Sequence, residues 1–107
     1  MNKLFALRDA VGNPVFGLNL SNYPNAVVLA ANVAKSHNVP SGAKRVNISA
    51  TKDFFADFSG ETAVIPTEDI TDGTSSILNP TLRSIEGVES ISFIAEEATV
   101  ITLEFYG

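Results

Sequence analysis

Two alternations set almost end to end between Val39 and Gly60 restrict this chain more than any other feature. After a Pro40-Ser41-Gly42 turn, Val46, Ile48 and Ala50 alternate with Arg45, Asn47, Ser49 and Thr51. Successive side chains of an extended chain point to opposite faces, so this spacing describes a strand with one buried face. A second alternation follows at once: Phe54, Ala56 and Phe58 share one face, Asp53, Phe55 and Asp57 the other, and Ser59-Gly60 breaks the run. The stretch reads as two core strands joined by a very short corner.

The same period recurs at the end of the chain, where Thr99, Ile101, Leu103 and Phe105 take one side and Val100, Thr102, Glu104 and Tyr106 the other. Glu96-Glu97-Ala98 supplies the turn before it. Ile91, Phe93 and Ala95 predict a further strand over Ser90 to Glu96, and Thr81 to Ile85 and Thr62 to Ile65 read as short strands. Near the start, Leu4 to Leu7 and Val15 to Leu18 flank Val11-Gly12-Asn13-Pro14, a turn sequence that predicts an N-terminal hairpin. Ser21 to Asn25 reads as a loop. Ala26 to Ala34 is ambiguous, since alanine favours helix and valine favours strand. It reads as a strand, because no carboxylate or amide stands three residues after Asn25 to close a capping box, and Lys35 to Val39 reads as its kinked extension. Thr67 to Pro80 is rich in turn formers and reads as one long surface loop anchored by Ile70 and Ile77-Leu78. Eight or nine short strands separated by turns predict an all-β chain: an antiparallel β-sandwich of jelly-roll type formed as one domain over residues 1–107.

Composition narrows the classes of function. Seven Lys and Arg against twelve Asp and Glu give a net charge of -5, which argues against an electrostatic grip on nucleic acid or an anionic membrane. Cysteine is absent, so no disulfide framework and no thiolate metal site is available. Leu4 to Leu7 is too short for the core of a signal peptide and Ala26 to Ala31 far too short for a membrane span, and the expectation is a soluble, unprocessed chain.

The candidate chemistry is sparse. His37 is the sole histidine and stands in a polar stretch without marked partners for acid–base or metal work. Glu68, Asp69 and Asp72 suggest a calcium site only weakly, because the alternate-position acids of an EF-hand loop are missing. Asp53 and Asp57 have the look of a glycosidase pair, although charges on an outer strand face need no such explanation. No serine sits in a Gly-x-Ser-x-Gly elbow, and no Gly-rich loop cradles a phosphate. The expectation is a non-enzyme without cofactor or metal. Phe55 and Tyr106 fall on faces opposite the expected core, where aromatics mark a protein interface or a carbohydrate platform unless loops cover them.

The ordered set Val39-Pro40-Ser41-Gly42-Ala43, Asp53-Phe54-Phe55, Asn79-Pro80-Thr81-Leu82-Arg83, Ile91-Ser92-Phe93-Ile94 and Phe105-Tyr106-Gly107 resembles a group of small structural proteins of tailed bacteriophage virions. The resemblance spans about the last two thirds of the chain and implies a β-sandwich virion component with no catalytic residues. Among such proteins a stand-alone domain this small is most often a capsid decoration, or cement, protein. That implies a place on the outer surface of the phage head, with the major capsid protein and further copies of itself, as dimer or trimer, for partners. The expected interface residues are Phe55, Tyr106, Lys44, Arg45 and Arg83. A tail or fibre component whose aromatics bind host-surface sugar is the alternative.

Overall fold

A computed structural model describes residues 1–8 and 14–107, with side chains for residues 1–5 and 19–107. Ten strands follow in order: β1 (Ala6–Arg8), β2 (Pro14–Leu18), β3 (Pro24–Leu29), β4 (Lys35–Asn38), β5 (Arg45–Ala50), β6 (Phe55–Asp57), β7 (Ile77–Leu78), β8 (Leu82–Ser84), β9 (Ser90–Ile94) and β10 (Thr99–Tyr106). No helix occurs among the described residues, and so none is long and apolar enough to cross a membrane.

Eight of the strands build two four-stranded sheets, one in the order β3-β10-β5-β8 and the other β4-β9-β6-β7. Every neighbouring pair is antiparallel. The sheets face each other across one apolar core. The first contributes Val27, Leu29, Val46, Ile48, Ile101, Leu103 and Phe105; Phe54, Ala56, Ile91, Phe93 and Ala95 come from, or from beside, the strands of the second. The protein is an all-β sandwich, as the alternations require.

β10 is its central member. It pairs along its length with β3 on one side and β5 on the other, so its backbone donors and acceptors are met by protein on both edges. Thr99, Ile101, Leu103 and Phe105 are buried as the pattern predicts. In the second sheet Ile91, Phe93 and Ala95 are completely buried on β9 and just after it. Val46 and Ile48 point inward, while Ala50, at the end of β5, is exposed.

Two turns set the ends of these strands. Ala43 N–H bonds to Pro40 C=O at 3.1 Å, and Val88 N–H to Ile85 C=O at 3.0 Å. Gly42 (φ 86°) and Gly87 (φ 82°) sit third in these turns, the position where a type II turn demands positive φ.

Three expectations are corrected. The segment Ala26 to Ala34 does not run as one strand into a kinked extension. It leaves the first sheet at Leu29, turns at Ala31 and Asn32, and re-enters in the opposite sheet as β4. Asn32 makes this possible, because asparagine tolerates the left-handed backbone (φ 61°), and its N–H is held by Ala95 C=O at 2.7 Å. Thr62 to Ile65 forms no strand. Its backbone is satisfied by side chains instead: Ala63 N–H donates to Ser92 Oγ at 2.8 Å and Val64 N–H to Ser76 Oγ at 3.1 Å. The long loop is interrupted by β7, which pairs with β6, and its deepest anchors are Ser76 and Pro80, whereas Ile70, Ile77 and Leu78 are exposed.

β1 and β2 pair with each other, Ala6 opposite Leu18 and Arg8 opposite Pro14, and have no comparable contact with any other strand. The turn expected at Val11 to Asn13 lies outside the described residues. With this ribbon the molecule measures 51 × 28 × 25 Å.

Candidate interaction surface

The two ends of β10 carry different chemistry. At the Phe105–Tyr106 end, the base of the N-terminal ribbon is braced internally by asparagines and fastened to β10. Asn2 and Asn22 exchange backbone-to-side-chain hydrogen bonds, Asn2 N–H to Asn22 Oδ1 at 2.8 Å and Asn22 N–H to Asn2 Oδ1 at 3.3 Å. Asn19 accepts from Phe5 N–H at 3.0 Å and donates from Nδ2 to Lys3 C=O at 2.7 Å, clamping both legs of the ribbon. The last strand completes the joint: Gly107 N–H donates to Asn2 C=O at 2.8 Å, and Ser21 Oγ donates to Phe105 C=O.

This joint changes the reading of Tyr106. Its side chain does lie opposite Phe105, but the ribbon base covers it, leaving it 1% exposed with its hydroxyl donating to Asn19 C=O at 2.7 Å. Removal from water, and secondarily the Glu104 carboxylate, push the phenol pKa above its ordinary value. Tyr106 is a structural anchor and presents no outer surface. Sequence periodicity predicts the face correctly; the cover comes from a segment 87 positions away.

The other expected interface residues remain accessible to different degrees. Arg45 pairs directly with Tyr106 across the β5–β10 ladder, and the neighbouring β5–β8 ladder sets Arg45 opposite Ser84 and Val46 opposite Arg83. Lys44, Arg45 and Arg83 therefore gather at one end of the first sheet. Lys44 and Arg83 are exposed; Arg45 is half-buried, and its guanidinium donates to Lys44 C=O, Ser84 Oγ and Glu86 Oε1 at 3.0, 3.3 and 3.4 Å.

Phe55 is at the opposite end. It is half-buried in a cleft of about 510 Å³ that it shares with Thr51, Lys52 and Asp53 from the β5–β6 corner and Glu96 and Glu97 from the β9–β10 turn. Lys52 Nζ lies 3.7 Å from Glu97 Oε2. The corner itself is held by Asn79, whose backbone adopts φ 48°. Asn79 Oδ1 accepts from Phe54 N–H at 3.0 Å, its Nδ2 donates to Asp53 at 2.9 Å, and its N–H donates to Phe54 C=O at 2.9 Å. One left-handed asparagine thus ties the β5–β6 corner to the β7–β8 corner.

The candidate acid–base groups are engaged in structure. His37, on β4, stacks on Phe105 at 6.3 Å and 21° between planes, and Asn25 Nδ2 lies 3.0 Å from its Nε2. Because the amide nitrogen is a donor, Nε2 is the acceptor of a neutral ring. Burial, then the nearby Lys35 charge, lower the imidazole pKa below its ordinary value of 6.5. Asp57 is buried and accepts from Ser59 N–H at 2.8 Å and from the Ser59 hydroxyl. Asp72 caps its own turn by accepting from Thr74 N–H and Oγ1 at 3.1 and 2.6 Å, bonds that hold its pKa below the ordinary carboxylate value. Among the described residues, no three His, Asp or Glu side chains converge as a metal site requires.

Comparison with known proteins yields no match, whether to a family model, a curated protein or a solved structure.

Proposed function

We propose that this chain is a jelly-roll sandwich acting as a non-enzymatic capsid decoration protein on the outer surface of a tailed-phage head, bound to the major capsid protein and to copies of itself. The observation that carries the fold half of this reading is the nesting of strand pairs. β6 pairs with β7, β5 with β8, β4 with β9 and β3 with β10, each pair enclosing the last along the sequence, and the pairs alternate between the two sheets. A long two-stranded ribbon rolled up on itself has this connectivity, and jelly rolls of capsid proteins are built so.

The functional half rests on the resemblance of residues 39–107 to small virion proteins and on the surface chemistry. The outer face of the first sheet sets exposed Val28 directly across from exposed Val100, an apolar pair suited to protein contact. Lys44, Arg45 and Arg83 pair with acidic loops of capsid subunits, and the net charge of -5 suits an outer position better than one against packaged DNA. Quantitative mass spectrometry of purified virions tests the reading. A copy number comparable to the major capsid protein supports it; a tail-scale number, as for a sugar-binding fibre component, or absence from the particle overturns it.

A further inference from the structure

The two four-stranded sheets end on four edge strands, β3 and β8 in one sheet and β4 and β7 in the other. An edge offers unpaired backbone groups to any other strand, and proteins block it with proline, with charge or with inward-pointing charged side chains. Three of these edges are blocked. Tyr23 C=O accepts from Phe105 N–H, so in the antiparallel alternation Asn25 and Val27 also face β10, and Pro24, Ala26 and Val28 face outward. Pro24 has no N–H to offer, and Val28 C=O accepts from Lys35 Nζ at 3.3 Å. That lysine belongs to β4, so it and the contact between Asn25 and His37 stitch the β3 and β4 edges together. On β8, Ile48 N–H reaches Thr81 C=O and Ile85 N–H reaches Lys44 C=O, which leaves Leu82 and Ser84 facing outward. Arg83 shares the core-facing side of the sheet with Val46, and its guanidinium covers Leu82 C=O at 2.9 Å.

β7 carries no such block of its own. No Lys, Arg, Asp or Glu occurs from Gly73 to Leu82. Asn79 N–H donates to Phe54 C=O, so Asn79 and Ile77 turn their backbone groups to β6, and Leu78 turns its N–H and C=O to the open side. The side chains at this edge are apolar and stand in water, Ile77 42% and Leu78 53% exposed. Leu78 also ends an apolar row on the outer face of its sheet, because Ile94 lies directly opposite Phe55 and Phe55 directly opposite Leu78. An uncharged edge with an apolar row running up to it is where a further strand adds to a sheet.

We propose that β7 is a dimerisation edge: two copies of the chain pair β7 to β7, antiparallel about a two-fold axis, and join their second sheets into one. This deepens the self-association in the reading above and rests on that reading for its setting on a capsid, while the edge geometry belongs to the isolated chain. Charge selects a second copy as the occupant. Across a two-fold axis each side chain meets itself or a close neighbour, so a charged residue on the edge would meet its like. The uncharged run from Gly73 to Leu82 meets that condition on a chain whose net charge of -5 otherwise keeps copies apart. A strand of different sequence imposes no such condition, and an acidic chain would recruit it with charge. The row of Ile94, Phe55 and Leu78 continues through the axis into the same row of the second copy. β7 is two residues long, so backbone pairing contributes few hydrogen bonds and the apolar row supplies most of the cohesion. The contact is isologous and closes at two copies.

The test is sedimentation velocity of the full-length protein over a concentration series at low and high salt. A monomer–dimer equilibrium that high salt does not weaken is expected, because no ion pair crosses the axis. Leu78→Lys and Leu78→Glu should each weaken dimerisation by about tenfold or more, since like charges then meet, and an equimolar mixture of the two should restore it. Leu78 is more than half exposed, so these substitutions leave the core intact. The chain has no cysteine, which gives a second test that needs no added charge. Ile77→Cys or Leu78→Cys, whichever the axis brings nearer its own copy, should oxidise to a linked dimer at least about tenfold faster than Val33→Cys, an exposed control beside the β3–β4 turn. A monomer at every concentration, assemblies that grow beyond the dimer, association indifferent to Leu78→Lys, or a mixture that fails to reassociate overturns the inference. So does a monomer that loses its binding to the major capsid protein on Leu78→Lys, which gives the edge to that protein instead. Virion copy number leaves these results untouched, so either idea can fail alone.

Discussion

Phe105→Ala is the sharpest test of how the sandwich is held together. Phe105 is completely buried on β10, edge-on to Tyr23 (6.3 Å, 77°) and stacked with His37 (6.3 Å, 21°), and its backbone is paired with Val46 of β5. A buried phenylalanine removes roughly 150–250 Å² from water, which at ~25 cal/mol per Å² is about 4–6 kcal/mol before the share that alanine keeps. Truncations of this kind cost about 3–5 kcal/mol once partial collapse of the cavity is included. Loss of two aromatic neighbours places the expected cost near the upper end. Set against the 5–15 kcal/mol typical of whole domains, the variant should be folded only marginally or not at all. Equilibrium urea unfolding at constant pH measures it, with Phe55→Ala for comparison. Phe55 is half-buried at the cleft, so its truncation should cost about half as much. A Phe105→Ala loss below about 1 kcal/mol, or a larger loss for Phe55→Ala, would refute the assignment of Phe105 to the core.

Other outcomes follow from the same structure. The His37 pKa is lowered in the folded chain, so the unfolded chain binds the proton more readily: stability is complete above pH 6.5 and declines as pH falls below it toward the folded-state pKa. His37→Gln should flatten that part of a melting-temperature profile, and an unchanged slope would place the titration elsewhere. Asn79→Ala should destabilise by about 1–3 kcal/mol through the bonds to Phe54 and Asp53, and more than Asn79→Gly, because only glycine accepts φ 48° without strain; thermal melts of the two variants give the order. Arg45→Ala should cost under about 1 kcal/mol, since its ion pair with Glu86 is solvent-exposed on both sides, and a loss several times larger in urea unfolding would contradict that. Far-UV circular dichroism should be β-dominated, and helix above about a quarter of the chain, near the average for ordinary globular proteins, would rule out the sandwich.

The sequence by itself determines where strands with one apolar and one polar face occur. On β9 and β10 parity marks the core-facing side chains, which is why Ile91, Phe93, Ile101, Leu103 and Phe105 are legible without a structure, although Ser92 and Tyr106 on the other face are covered as well. β4 is not legible in this way. Lys35-Ser36-His37-Asn38 has no apolar alternation, and it is a strand because β9 offers it an unpaired edge. Thr62 to Ile65 shows the reverse, a segment rich in β-branched residues that joins neither sheet, the amides of Ala63 and Val64 taken by serine hydroxyls.

Which sheet each strand enters, and therefore which ends come together, belongs to the tertiary structure alone. The nested pairing joins β3 to β10 across nearly the whole chain, and no local pattern encodes a partner that distant. The candidate surface divides along the same line. Phe55 is placed correctly by parity, but the cleft around it needs the β9–β10 turn to arrive beside the β5–β6 corner. Tyr106 has the parity of a surface residue and the environment of a core one, because Asn19, whose side chain clamps Lys3, lies over it and accepts its hydroxyl on the backbone carbonyl, while Asn2 C=O and Ser21 tie the ribbon base to the end of β10. Local alternation selects a face of a strand; only long-range packing decides whether that face meets water.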